Sequence, residues 1–276
     1  MIKNTVFENY KDKHKGQRAF MIANGPSLSE TKLDLLKDEI TFAMNRVPLI
    51  YDQHKEWRPT YYLFSSTNVK HPVWGAAWRN SVRKAVQEDR TTSFIARIFK
   101  HYIDPHDEFP QVNWFDSMSE RKPVMSGDIL ETCFSTNVVD RIDKTGTTMN
   151  LALQLAYHMG FEELVFVGAD LGFVGDRGSE SDPNHFDKSY RADIAPEKVY
   201  KINNQMRNIH SLAVKNFIEK NNKTKFYNAS ARTVLDVYPI IDFEKYVLNN
   251  EVILLDEKLK MAKQYWDKDP QYGRYK

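Results

Sequence analysis

Cysteine is nearly absent from this chain. Cys133 is the single one among 276 residues, so no intrachain disulfide can form, and a reducing cytoplasm is the expected setting. No uninterrupted apolar run approaches the length needed to span a bilayer, and Met1 to Gln17 is polar, without the apolar core of a signal peptide. A role at a membrane would therefore be played from its surface. Charge of one sign is also missing. The 39 basic and 37 acidic residues leave a formal charge of +2, which argues against nucleic acid held on a broad basic face. There is no Walker A pattern and no G-x-G-x-x-G fingerprint, so neither a P-loop nor a dinucleotide fold is indicated. Internal repeats and low-complexity linkers are lacking as well. With 41% hydrophobic and 28% charged residues, the composition is that of a folded globular chain.

What is present is organised around Asn24-Gly25-Pro26-Ser27. This turn follows the apolar run Ala19–Ile22 and precedes an amphipathic stretch, Leu28 to Leu36, which reads as strand, tight turn, helix. Gly25 lets the backbone turn without a Cβ clash, Pro26 fixes φ, and Ser27 with Glu30 has capping-box spacing. Such a turn would present backbone N–H groups and a helix dipole to an anion. A plain helix cap explains the same residues.

Further apolar runs close on small polar residues. Ile40–Met44 ends at Asn45-Arg46, Tyr61–Phe64 at Ser65-Ser66-Thr67, Glu163–Val167 at Gly168-Ala169-Asp170, and Lys225–Tyr227 at Asn228-Ala229-Ser230. Ser93–Ala96 is another strand candidate. Helical spacing marks Trp74–Glu88, Thr147–Met159, Glu197–Lys220 and two short helices after Phe243. Alternating strands and helices predict an α/β fold, a doubly wound and mostly parallel Rossmann-like sheet in one domain over residues 1–276. Segments 101–136 and 174–193 lack periodicity and read as a small lid or irregular subdomain. In such sheets, ligands bind at the carboxyl ends of the strands, where these polar residues fall.

His185, in the polar segment after the strongest strand, is the candidate general base, since histidine titrates near neutrality. A surface loop histidine is the plain alternative. His101, Asp104 and His106 match no common metal-ligand spacing, and Asp267-Lys268-Asp269 has D-x-D spacing in a charged tail with no strand before it. No metal is therefore expected. Asp140 and Asp143 read as solvated loop carboxylates, and Cys133 as structural.

Three ordered blocks together resemble the bacterial sialyltransferases of glycosyltransferase family 42. They are Phe20-Met21-Ile22-Ala23-Asn24-Gly25-Pro26-Ser27-Leu28, Phe42-Ala43-Met44-Asn45, and Gly146-Thr147-Thr148 through Met159-Gly160-Phe161 to Val167-Gly168-Ala169-Asp170. The same blocks are similar to Maf-like proteins of flagellin glycosylation and to an archaeal pterin pyrophosphokinase-like group. In that wider set an Asn/Ser-His-Phe/Tyr segment follows the strand-end aspartate, as Asn184-His185-Phe186 does here. The resemblance covers about residues 18–68 and 140–220. It implies a metal-independent, inverting transfer of a CMP-activated sialic acid or related nonulosonic acid to a glycan or glycolipid acceptor, with no cofactor. Asn24, Gly25, Pro26 and Ser27 would contact the nucleotide and its phosphate. Asn45, Ser65 and Ser66 would hold base, ribose or sugar, Thr147 and Thr148 would begin the middle helix, and Gly168 and Asp170 would face the ribose. The family histidine falls at His185 or at Ser189. Where the family places tyrosines for the leaving phosphate this chain has Leu171-Gly172-Phe173, so Arg177 or Tyr190 would take that role. The resemblance further implies surface polysaccharide biosynthesis, and it allows a homo-oligomer; the expected setting stays the cytoplasm, with room for peripheral contact at the inner membrane. A pyrophosphokinase-like enzyme using Mg-ATP and a non-catalytic nucleotide-binding protein are the rival readings.

Overall fold

A computed structural model describes residues 3–117, 134–143, 147–172, 182–190, 206–215 and 224–268. Its centre is one seven-stranded sheet. The strands are β1 (Arg18–Ile22), β2 (Thr41–Met44), β3 (Tyr61–Phe64), β4 (Thr92–Ala96), β5 (Asn113–Phe115), β6 (Glu163–Val167) and β7 (Lys225–Asn228). They lie in the order β5-β4-β3-β2-β1-β6-β7, and every pairing is parallel. The predicted doubly wound α/β sheet is thus observed.

The inner strands β1, β2, β3 and β6 form as parallel, doubly covered strands because their residues are apolar on both faces. Within β1, β2 and β6, alternate residues divide between two cores. Met21, Phe42 and Phe166 face one, and Phe20, Ile22, Ala43, Val165 and Val167 face the other. Helices α1 (Gly75–Val86) and α3 (Thr148–His158) contribute to the first core. The single turn α2 (Lys100–Ile103) precedes β5. Residues 206–215 are helical and are labelled α4, before β7. Helices α5 (Phe243–Asn249) and α6 (Asp256–Lys268) close the described chain.

The order creates a switch point. From β1 the chain winds outward through β2 to β5, then returns to the other side of β1 as β6. The segments leaving β1 and β6 therefore diverge and leave a crevice above their carboxyl ends, the usual place for a ligand in such sheets.

Two expectations fail here. The helix expected over Leu28–Leu36 is instead two separate 3-10 turns, Pro26–Glu30 and Leu33–Leu36, parted at Thr31 by extended backbone. At 100° per residue a continuous helix would set Leu28 and Leu33 about 140° apart, yet Leu28, Leu33 and Leu36 are all fully buried. Breaking the helix brings the three leucines to the same core. Secondly, the segment read as irregular contributes an edge strand, β5, of three residues.

Smaller readings resolve as well. The Asp104 carboxylate accepts the N–H groups of Glu108 and Phe109, at 2.6 and 3.3 Å, and so closes a turn. Asp143, expected to be solvated, is buried and paired with Arg141 at 2.7 Å. Asp267 and Lys268 are exposed at the end of α6. Cys133, Arg177, Phe173 and Asp269 lie outside the described residues. Among the described residues no helix is long and apolar enough to cross a membrane.

Candidate active site

A cleft opens at the switch point. Asn24, Gly25 and Pro26 line it from the turn after β1, and residues 168–172 from the turn after β6. Met44 and Asn45 end β2, Thr147 and Met149 begin α3, and Asn184, His185 and Tyr190 come from the segment after β6. Met206 and His210 reach it from α4.

The two turns are locked face to face. The Gly25 N–H donates to the Gly168 carbonyl at 2.8 Å, and Asp170 takes both donors of Ser27, the N–H at 2.7 Å and the hydroxyl at 2.5 Å. A Cβ on Gly25 would stand 2.5 Å from both Asp170 Oδ2 and the Gly168 carbonyl oxygen, so no other residue fits. Gly168 adopts φ +69°, which favours glycine. Behind it the polar end of β7 grips the second turn. Ala169 donates its N–H to Ser230 Oγ at 2.8 Å, and Thr233 donates its hydroxyl to the Ala169 carbonyl at 2.8 Å.

This arrangement alters the expected anion cradle. The N–H groups of Gly25, Ser27 and Leu28 are given to Gly168, Asp170 and Gly25, and no α-helix follows to supply a dipole. Ser27 is fully buried beneath the turn, and Ser27 does not line the cleft. Burial raises the Asp170 carboxyl above its usual range, against the two Ser27 donors that lower it. The helix end that does meet the cleft belongs to α3. Thr147 caps it, accepting the Met149 N–H at 3.3 Å, and a helix of 11 residues points its positive end there.

The other expected residues divide. Asn45, at φ +56°, accepts the Thr148 hydroxyl on Oδ1 at 3.1 Å, so Thr148 holds Asn45 rather than lining the cleft. Asn24 Oδ1 is buried and has no hydrogen-bond partner among the described residues. Ser65 and Ser66 stand one strand beyond Asn45 and are not part of the wall. Ser65 is buried, while Ser66 caps the turn Thr67–Lys70 by accepting the Asn68 N–H at 3.3 Å.

His185 is built into a dyad. Its Nδ1 lies 2.6 Å from the Asp182 carboxylate, which is fully buried and also accepts the Asn184 N–H at 2.9 Å. A carboxylate only accepts, so Nδ1 carries the proton and Nε2 is the basic nitrogen. The ring stacks on Tyr190, with centroids 4.0 Å apart and planes 6° from parallel. The segment is tied to the β1 turn by the Phe186 N–H, which donates to the Asn24 carbonyl at 3.2 Å. Ser189, the other candidate for the family histidine, hydrogen-bonds its hydroxyl to Asp187 at 2.6 Å and is not in the wall.

Three residues escaped the sequence reading. Asp182 lies inside a polar segment where one carboxylate looks like another. Arg46 directly follows Asn45 and is buried. Its guanidinium donates to the Ser189 and Tyr190 carbonyls at 3.0 and 3.1 Å and to Ser81 Oγ at 3.2 Å, between the rings of Trp78 and Tyr190. His210 lies four residues after Met206 in α4, next to Ile209 of the apolar face, and nothing in the sequence set it apart from the other histidines. Among the described residues no group of three His, Cys, Asp or Glu side chains is placed to hold a metal ion.

Fold and cleft define a doubly wound α/β protein with an imidazole–carboxylate pair at its switch point. No family model matches the chain, and no curated protein matches it. Among solved structures it is similar to the sialyltransferase CstII from Campylobacter jejuni in complex with cytidine-5'-monophosphate, at 14% identity, 81% of this chain, 84% of that chain and a TM-score of 0.42. It is similar to sialyltransferase CST-II with trisaccharide acceptor and CMP, at 17% identity, 80% and 84% coverage and a TM-score of 0.42. It is also similar to the monofunctional α-2,3-sialyltransferase Cst-I from Campylobacter jejuni, at 13% identity, 91% and 96% coverage and a TM-score of 0.40.

Proposed function

We propose that this chain is a sialyltransferase-like glycosyltransferase that moves a CMP-activated sialic acid or related nonulosonic acid onto a hydroxyl of a glycan or glycolipid. The observation that carries this reading is the His185–Asp182 pair set in the cleft beside the Asn24 turn. The ordered sequence blocks that resemble family 42 supply the donor class.

In this mechanism Nε2 of His185 takes the proton of the acceptor hydroxyl. The oxygen attacks the anomeric carbon, and the bond from that carbon to the phosphate oxygen breaks, its electron pair leaving with CMP. Inversion at the anomeric carbon follows from a single displacement. Asp182 holds the ring in the basic tautomer and stabilises the imidazolium that forms. The nucleotide would pack against Asn24, Gly25, Pro26, Gly168 and Asp170, with Asn45 directed at base, ribose or sugar. Charge that develops on the leaving phosphate would be met at the α3 end near Thr147, with Tyr190 and Arg177 as further partners. No step is assigned to a metal. The reaction would place the protein on the cytoplasmic side of a membrane that carries the acceptor.

Two measurements test the reading. Thermal unfolding with CMP, UDP, GDP or ATP, each with and without EDTA, should show stabilisation by CMP that EDTA leaves unchanged. Stabilisation by Mg-ATP alone would replace this reading with a phosphotransferase. Transfer from a CMP-sialic acid donor should then fall by a factor of about 10² or more in His185→Ala, the usual size of a lost general base. Near-wild-type transfer by that variant would remove His185 from the chemistry.

A further inference from the structure

A second imidazole meets the same cleft from the opposite element. His210 is 4% exposed and reaches the cleft from α4, one turn after Met206. Its ring is fixed by packing, edge-on to Phe166 at 5.2 Å and to Tyr238 at 5.7 Å. Phe166 and Tyr238 are themselves stacked at 4.5 Å, so the ring has little freedom to rotate.

The hydrogen bonds set its tautomer. Tyr238 Oη lies 3.0 Å from His210 Nδ1 and 3.4 Å from the His210 carbonyl. The phenol has one proton, and the carbonyl has none. Both contacts are hydrogen bonds only if Nδ1–H donates to Oη and Oη–H donates to the carbonyl. The reverse assignment leaves the carbonyl contact without a proton. Nε2 then carries a lone pair, and among the described residues it has no hydrogen-bond partner. Nε2 is not one of the buried atoms sealed away without a partner, so on the cleft wall its lone pair is open to a donor from a ligand.

We propose that His210 Nε2 is a ligand-binding acceptor, taking a hydrogen bond from an N–H or O–H of the bound nucleotide. The assignment rests on the nucleotide-sugar reading of the cleft. Met206, one helical turn away, adds an apolar surface beside the acceptor, the pairing of flat contact and edge hydrogen bond that a base or ribose ring requires. Burial favours the neutral ring, so the lone pair stays available near neutral pH.

The tautomer can be read in the ligand-free protein by long-range proton–nitrogen correlation of the imidazoles. Nδ1 protonated and Nε2 unprotonated is the expected pattern for His210, and a protonated Nε2 overturns the proposal whatever the ligand. Calorimetric titration with CMP then compares the wild type with His210→Phe, which keeps a flat ring among Phe166 and Tyr238. Affinity should fall about tenfold, the size of one hydrogen bond with its desolvation cost. Equal affinity overturns the proposal. Titrations with UMP and with 2'-deoxy-CMP locate the donor. The nucleotide that the wild type binds less well than CMP, but His210→Phe does not, lacks the group that makes the bond. If the wild type binds no CMP, the nucleotide reading falls and this proposal falls with it, whereas CMP binding that His210→Phe leaves unchanged overturns the proposal alone.

Discussion

Burial lowers the His210 imidazole from 6.5 to about 4, and among the described residues no counter-charge offsets it. In the unfolded chain the ring takes a proton near pH 6.5, but in the folded protein only near pH 4. Between these values the unfolded state binds more protons, so this residue's contribution to stability is present above pH 6.5 and is lost as pH falls toward 4. The full difference is on the order of 3 kcal/mol. Urea unfolding of the wild type should lose stability between pH 6.5 and 4.5 more steeply than that of His210→Phe, which has no group to titrate there. Parallel pH profiles for the two proteins would show that the folded ring takes up its proton in the same range as the unfolded chain, against the shift expected from burial. Residue-scale features of this kind are the least legible in sequence. A histidine in helical register with Met206 and Ile209 looks like core, and only the third dimension brings it to a cleft. Asp182 was hidden for the opposite reason, since it stands among other polar residues and gains its meaning from a 2.6 Å contact.

Elements were read with more success where one physical cause dominates. Continuous apolar runs mark strands covered on both faces, and β1–β4, β6 and β7 begin and end within a residue of those runs. β5 was missed because an edge strand of three residues, Asn113-Trp114-Phe115, needs neither length nor two apolar faces. The helix after Ser27 was misread because capping-box spacing is local, whereas Asp170, 143 residues away, takes the serine's donors. The close contact between the two turns gives an element-scale prediction. Gly25→Ala puts a methyl group 2.5 Å from Asp170 and from the Gly168 carbonyl, and backbone on one side leaves no room to yield. The variant should lose about 3 kcal/mol or more of stability, at the upper end of overpacking costs. Gly16→Ala is the comparison: at φ +82° with nothing within 4 Å of its Cβ it carries backbone strain without a clash, whereas Gly25, at φ −71°, carries the clash without that strain. Denaturant midpoints for Gly25→Ala that match those of Gly16→Ala would refute the tight turn-to-turn contact.

At the scale of the whole molecule, the two halves of the sheet meet only where the chain changes direction. One half winds from β1 to β5, and the other holds β6, β7 and the segment with His185. Arg46 spans the crevice between them. It leaves the end of β2, leans on Trp78 and Ser81 of α1, and holds the carbonyls of Ser189 and Tyr190 from the other half. Tyr190 in turn stacks on His185, so the position of the imidazole depends on a residue adjoining Asn45. Arg46→Met keeps much of the stem volume and removes the donors. Strands β1, β2 and β6 pair without Arg46, so the sheet should persist while the segment 182–190 loosens. Native-state hydrogen exchange separates the two effects. The Phe186 N–H, bonded to the Asn24 carbonyl, and the Tyr190 N–H, bonded to the Asp187 carbonyl, should lose about tenfold or more of their protection. The Phe20 N–H, bonded to the Ile40 carbonyl within the sheet, should keep its own. Uniform loss at all three sites would mean that Arg46 supports the whole fold, and unchanged exchange at Phe186 and Tyr190 would mean that the segment is held without it. Local loosening alone fits an arginine that joins the cleft-lining end of β2 to the His185 segment across the switch point.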